Sequence, residues 1–435
     1  MSDPKIELIP SKTALCVDAA ITLDVLIRIA PPPPATSVER SPLNLALVLD
    51  RSGSMAGRGK MHYAQEAAAF AVWQLHETDR VSVTVFDEHV DTLVRNAPAL
   101  DKTAITESIQ SVLPRGSTAL YDGWLEGSRQ AASGLIDGGM NRVLLLSDGL
   151  ANHGVTDSKA IALKARELAD QGVSTTTLGV GDDYNEDLME AMAKTGDGNY
   201  YYIQDPVQLT DIFQTELQGL VATFGQKVSI GLDPVADLHT LEMLNKLEGT
   251  ETGRLKLPNL VFGQPIQLVV RLHVPPRAAG TDLISVRLAW DTLDGNDRRV
   301  LHATLRVQES IPKADWDLLP ADPAVEQHVA LLMLARAQNE ATTFYDTGDF
   351  VSTRRTLEDA AAVAARYSSS PEVNDELTHL SRMMLDLEEH RGDRMRKQAK
   401  YRSYSRFRGS PSAPVTNPDE QVPPSHRDDP DKPHA

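Results

Sequence analysis

The sequence predicts an α/β protein: a doubly wound, mostly parallel sheet inserted in an antiparallel β-sandwich-like domain, followed by a helical hairpin or bundle and a disordered tail. Three observations lead there. From residue 43 to about 214, short apolar runs alternate with helix-period segments, the pattern of a parallel sheet covered by helices on both faces. After Gly225 the pattern becomes strands of period two separated by turn residues. From Ala324 to about residue 397 the apolar spacing is helical again.

Taken in order, residues 5–30 read as strand, with Leu23, Val25, Ile27 and Ile29 on one face and Thr22, Asp24 and Arg28 mainly on the other. The four prolines at 31–34 remove four backbone donors and mark a boundary. The α/β unit, 43–220, carries expected strands at 44–49, 81–86, 142–146, 173–180 and 199–203 and a short edge strand at 90–94. Its expected helices lie at 60–75, 101–111, 120–133, 157–171, 185–194 and 206–220. Strands at 227–232, 266–274, 283–290 and 300–307, with Asp294-Gly295 as a turn signal, make a β domain over 225–310. A strand near residue 20 has no other partner in its own segment. Residues 1–40 are therefore expected to join the later sheet, leaving the α/β unit inserted. The region 322–398 is expected to form two or three helices, broken at Gly348 and at 368–371; residues 399–435, polar and rich in Pro, Ser and Asp, are expected to be a disordered tail.

A formal charge of −18 argues against nucleic-acid binding over most of the surface. Segment 391–408 is the exception, with eight Lys or Arg against the single Asp393. Such a segment folds back on the acidic body, meets an acidic partner, or touches an anionic surface. Cys16 is the only cysteine, which excludes an intrachain disulfide and a cysteine zinc cluster and fits a reducing compartment. Asp3, Lys5 and Glu7 interrupt the first ten residues, unlike a secretory signal, and no run approaches the roughly 18 apolar residues of a spanning helix. A cytoplasmic protein without a transmembrane segment is the expectation.

The first strand of the α/β unit ends in Leu49-Asp50-Arg51-Ser52-Gly53-Ser54-Met55. A turn leaving the carboxyl end of a buried parallel strand opens into the crevice where doubly wound folds bind ligands. Asp50, Ser52 and Ser54 alternate across that turn, so a carboxylate and two hydroxyls converge while Gly53 permits tight curvature. Gly116-Ser117-Thr118 opens a later helix, and Ser147-Asp148-Gly149 closes the central strand at the same sheet edge. Such oxygen-only donors suit Mg²⁺, Mn²⁺ or Ca²⁺.

These three segments resemble the metal-ion-dependent adhesion site of von Willebrand factor A domains, over about residues 43–215. The resemblance implies that Asp50, Ser52, Ser54, Thr118 and Asp148 surround one cation, the serines directly and the aspartates partly through water. It also implies that a protein partner supplies a Glu or Asp to the metal, making the module a divalent-metal-dependent protein-binding device and not an enzyme. Segments 179–185 and 199–202 are similar to later parts of bacterial members. The outer segments resemble bacterial relatives of the inter-α-trypsin-inhibitor and chloride-channel-accessory type.

Arg51, Tyr121 and His153 flank the oxygen set and are candidates for a partner-binding rim. A phosphate-binding loop ending in Gly59-Lys60 fails on detail, because it wants Gly at Ser54 and Ser or Thr at Met61. A phosphoaspartate enzyme wants a second Asp at Ser52. Metal-dependent hydrolysis needs a base that the sequence does not place. Another reading is a scaffold or adaptor of an AAA+ ATPase or a kinase and phosphatase system, working through the helical region and the basic tail. There Ser403, Ser405 and Ser410 are Arg-flanked candidates for modification.

Overall fold

Period-two hydrophobicity at the amino terminus produces β1 (Lys5–Pro10), β2 (Ala14–Cys16) and β3 (Ile21–Ala30). The computed structural model describes residues 3–33, 40–150, 153–235, 238, 240–250, 252–293, 297–367 and 370–409. The Asp294-Gly295 turn therefore lies outside the described residues, as do Pro34, Ser368 and residues 410–435.

The α/β unit follows as β4 (Leu43–Asp50), α1 (Lys60–Gln74), β5 (Arg80–Phe86), β6 (Val90–Pro98), α2 (Lys102–Gln110), α3 (Leu120–Ser133), β7 (Met140–Ser147), α4 (Ser158–Asp170), β8 (Ser174–Val180), α5 (Glu186–Thr195), β9 (Asp197–Ile203) and α6 (Leu209–Val221). The sheet order is β6-β5-β4-β7-β8-β9, parallel throughout except for the antiparallel edge strand β6. Strands β4 and β7 are buried at every position, which is why both read as near-continuous apolar runs. Strand order reverses between β4 and β7, so their carboxyl ends open the crevice of the fold.

Close packing fixes what borders that crevice. A Cβ added at Gly127 would stand 2.1 Å from Val48 Cγ2, and one at Gly123 would stand 2.4 Å from Phe86 Cγ. Helix α3 thus lies directly on β4 and β5, and its first turn is held at the crevice mouth. On the other side α1 buries Ala64, Ala67, Ala68 and Ala71, small residues that let it approach the sheet closely.

The chain continues as β10 (Thr223–Pro234), β11 (Thr240–Met243), β12 (Leu255–Lys256), β13 (Leu260–Val261), β14 (Ile266–Val274), β15 (Asp282–Thr292), β16 (Arg298–Arg306) and β17 (Glu309–Ile311). Two antiparallel sheets result, β1-β3-β14-β11 and β12-β10-β15-β16, with β13 also on β10 and β2 paired parallel with β17. Ile21, Leu23, Val25, Ile27 and Ile29 of β3 share one core with Ile230, Leu268, Val286, Leu288 and Trp290. Residues before 31 and after 222 thus build one β unit, and the α/β unit departs from it and returns.

The last region holds α7 (Lys313–Leu318), α8 (Pro323–Asp346), α9 (Phe350–Ala364), α10 (Pro371–Glu388) and α11 (Gly392–Phe407). Asp322, Asp349 and Ser370 cap α8, α9 and α10 through the amides of Ala324 and Val325, Ser352 and Val373. Two corrections follow. Among the described residues the expected two or three helices are four beyond α7, because the chain also breaks at His390, whose φ of 59° ends α10 two residues before Gly392 opens α11. The tail expected to be disordered from 399 is helical to Phe407 and packed inward. Tyr401, Tyr404 and Phe407 are buried, and the rings of Tyr401 and Tyr404 meet Tyr200 edge-on at 6.0 and 5.8 Å. Its cations fold back onto carboxylates: Lys397 on Glu186 at 2.7 Å, Arg396 on Asp187 at 2.8 Å, and Arg402 on Glu376 at 3.0 Å. Among the described residues, no helix is long and apolar enough to cross a membrane.

Candidate metal centre

Strand β4 delivers Asp50, with no exposed surface, to the carboxyl edge of the sheet. The chain turns there because the Ser52 amide donates to Asp50 Oδ1 at 2.7 Å, and a 3₁₀ segment, Gly53–Gly59, follows. Backbone bonds join this loop to the next one: Gly53 N donates to Gly116 O at 3.1 Å and Arg115 N to Arg51 O at 2.7 Å. Ala119 N donates to Asp87 O, which seats Thr118 at the start of α3. Strand β7 contributes Ser147 and, one residue on, Asp148.

The structure brings the five sequence-selected oxygens to one place. Ser52 Oγ and Ser54 Oγ lie 3.0 Å apart, and Ser54 Oγ donates to Asp148 Oδ1 at 2.6 Å. An ideal Cβ on Gly149 would be 3.0 Å from Thr118 Oγ1 and 3.7 Å from Asp50 Oδ2. Gly149 therefore leaves room for those two oxygens to border one concavity. Asp50, Ser52, Thr118 and Asp148 are buried while Ser54 is exposed.

The donor set fits a hard divalent cation. Octahedral Mg²⁺ takes oxygens at about 2.1 Å, so adjacent ligand oxygens stand about 3 Å apart, close to the spacings found between Ser52, Ser54 and Asp148. Burial pushes the Asp50 carboxyl up to about 6; hydrogen bonds from Ser147 and Ser52 oppose that rise and the Asp148 carboxylate adds to it. Two neighbouring carboxyl groups in a dry cleft favour a counter-cation. Among the described residues no group of three or more His, Cys, Asp or Glu is placed to hold an ion.

Two further residues join the site, neither of them among the five oxygen donors selected from the sequence. Ser147 Oγ donates to Asp50 Oδ2 at 2.5 Å and fixes the carboxylate's orientation. Lys60, the first residue of α1, donates from Nζ to Asp148 Oδ2 with 8% of its side chain exposed. In the sequence it reads as a helix start and as the end of a rejected phosphate-binding loop, not as a neighbour of Asp148.

The flanking candidates separate. Arg51 is corrected from the rim: its guanidinium is drawn inward to Asp87 Oδ2 at 2.8 Å and to Asp91, leaving 9% of the side chain exposed. Arg115 joins the same Asp87 oxygen at 2.7 Å. Burial opposes ionisation of Asp87, but Arg115, the His89 amide and Arg51 outweigh it and hold the carboxyl below its usual range. Tyr121 is half-buried, its ring tilted on Trp124 at 6.0 Å, and His153 is exposed in the loop after β7. Ser403 is corrected as a modification candidate, because only 3% of it is exposed and its hydroxyl donates to Lys400 O. Ser405 is half-buried and Ser410 lies outside the described residues.

A model of the von Willebrand factor type A domain matches residues 44–215. The Synechocystis protein sll0103 is 28% identical over 344 residues, covering 75% of this chain and 79% of its own length. Escherichia coli YfbK is 30% identical over 191 residues, 44% of this chain but 33% of YfbK. Human inter-alpha-trypsin inhibitor heavy chain H3 is 30% identical over 166 residues, of which this chain spans 18% of the length. Two solved structures share the fold across most of the chain. A von Willebrand factor type A protein from Catenulispora acidiphila has a TM-score of 0.65 at 16% identity, covering 87% of this chain and 89% of its own. The ArnB paralog VWA2 from Sulfolobus acidocaldarius has a TM-score of 0.58 at 17% identity, covering 93% and 98%.

Proposed function

Given that residues 44–215 form a von Willebrand factor type A domain, commonly a metal-dependent protein-interaction module, we propose that this chain binds a protein partner through a divalent cation held by Asp50, Ser52, Ser54, Thr118 and Asp148. The observation that carries the reading is the continuous run of oxygens from Ser52 through Ser54 to Asp148, bordered by Thr118 and Asp50.

Mg²⁺ is the ion this donor set suits best, with Mn²⁺ or Ca²⁺ as alternatives. When bound, the cation supplies an open Lewis-acidic position for a Glu or Asp carboxylate of the partner. The chain's own residues do the rest: the two aspartates provide charge, the three hydroxyls provide neutral oxygens, and Ser147 orients Asp50. Lys60 is committed to Asp148 and Arg51 to Asp87. Binding without catalysis is the reading we favour. An adaptor working through the basic segment draws less support, because Arg396, Lys397 and Arg402 already pair with carboxylates of the same chain. Cys16, buried and the only cysteine, suits the reducing conditions of the cytoplasm.

Calorimetric titration with Mg²⁺ and Mn²⁺ tests the metal half of this reading. One ion per chain, with binding lost in Asp50→Ala, is expected; no uptake, or an Asp50→Ala variant that binds as well as the parent, would refute it.

A further inference from the structure

Lys60 is built into the metal centre and not laid along the surface beside it. Its ammonium donates to Asp148 Oδ2 while Ser54 Oγ donates to Asp148 Oδ1, so both oxygens of that carboxylate are engaged, one by a cation and one by a hydroxyl. Lys60 and Asp148 expose 8% and 0% of their side chains. Gly181, just past β8 with φ of 74°, forms the far wall: a Cβ there would lie 3.5 Å from Lys60 Cε and 3.6 Å from Nζ. The lysine is thus enclosed by the start of α1, the turn after β7 and the turn after β8.

We propose that Lys60 is the charge-setting residue of the metal centre, lowering its affinity for the cation and making the loaded centre demand an acidic ligand. The inference rests on the reading that Asp148 belongs to that centre. Two aspartates and one ammonium offer a divalent cation a single net negative charge, so the loaded centre keeps one positive charge. A partner's carboxylate neutralises it. Without the ammonium, the loaded centre is neutral before the partner arrives, and an added carboxylate leaves a partly buried negative charge uncompensated, which is costly. The ammonium also repels an incoming cation at short range, where the low local dielectric strengthens the repulsion. Lys60 therefore acts through Asp148 as a positioning residue, exchanging metal affinity for selectivity towards acid.

The test uses the full chain, Mn²⁺ followed by electron paramagnetic resonance, and acetate as the carboxylate probe, with Lys60→Met, Lys60→Gln and Lys60→Arg. Removing the ammonium is expected to tighten Mn²⁺ binding about tenfold in both neutral variants, whereas Lys60→Arg stays near the wild type. Acetate is expected to tighten Mn²⁺ binding by the wild type and Lys60→Arg and to lose that effect in Lys60→Met. A merely structural lysine would weaken binding on removal. The inference is overturned if neither neutral variant binds Mn²⁺ more tightly, or if acetate acts equally on wild type and Lys60→Met. Absence of Mn²⁺ uptake by the wild type itself would instead remove the metal centre, and the inference with it.

Discussion

Asp50 illustrates how one residue couples folding to ligand binding. Burial holds its carboxyl near 6 in the ion-free protein, above the value of about 4 expected in an unfolded chain. Between those values the folded state binds more protons than the unfolded state, so this group's contribution is most favourable below about pH 4 and falls as pH rises to about 6. The cost is about 3 kcal/mol. A cation needs the ionised form, and a proton competes with it below about pH 6. Mn²⁺ affinity is accordingly expected to drop about tenfold between pH 7 and pH 5 in the wild type, and to change much less in Asp50→Asn. Equal wild-type affinity at the two pH values would contradict this. The five oxygen residues were legible because three short segments carry them at recognisable spacings. The roles of Lys60 and Ser147 were not: both stand in quoted segments, but nothing in those segments says that Lys60 meets Asp148 or that Ser147 holds Asp50. Arg51 was misplaced for the same reason: Asp87, 36 positions on, pulls it inward.

Among the elements, α11 departs most from its composition. Its many cations suggest a solvated end, yet the helix is buried because carboxylates on α5 and α10 meet them and Tyr200 accepts its aromatic face. Composition records charge but not where the opposite charge will stand. Glu376 shows the strength of the arrangement: burial works to raise its carboxyl, but Arg402 and Arg406 hold it down at about 2. A depressed carboxyl contributes stability that is present above its unfolded value, near 4, and is lost as pH falls towards about 2. Glu376→Gln is expected to cost about 3 kcal/mol in denaturant unfolding, because it leaves Arg402 buried against weaker partners. A loss below about 1 kcal/mol would mean that α11 is held mainly by its tyrosines. The strands and helices of the α/β unit, by contrast, were legible in kind and order, since full burial writes itself into nearly continuous apolar runs such as β4; the half-exposed edge strand β6 runs four residues further than expected.

Across the whole molecule, distant segments close on one another. Arg271 bonds to Asp24, 247 positions earlier, within the sheet that joins β1 and β3 to β14. Helix α11 reaches both units: Arg408 donates to Gly198 O of β9, and Gly409 O accepts from Gln267 of β14. The candidate metal centre stands at the carboxyl edge of the α/β sheet, by β4 and β7, while α11 packs on the β9 side of that sheet, where Tyr404 meets Gly198. That geometry suits a loop cluster that meets another protein. The most direct test is affinity capture on the immobilised full chain, comparing wild type with Asp148→Ala in Mg²⁺ and in chelator. The account predicts a protein retained by wild type in Mg²⁺, released by chelator, and absent from Asp148→Ala. Retention of the same protein in chelator, or by Asp148→Ala as strongly as by wild type, would contradict it.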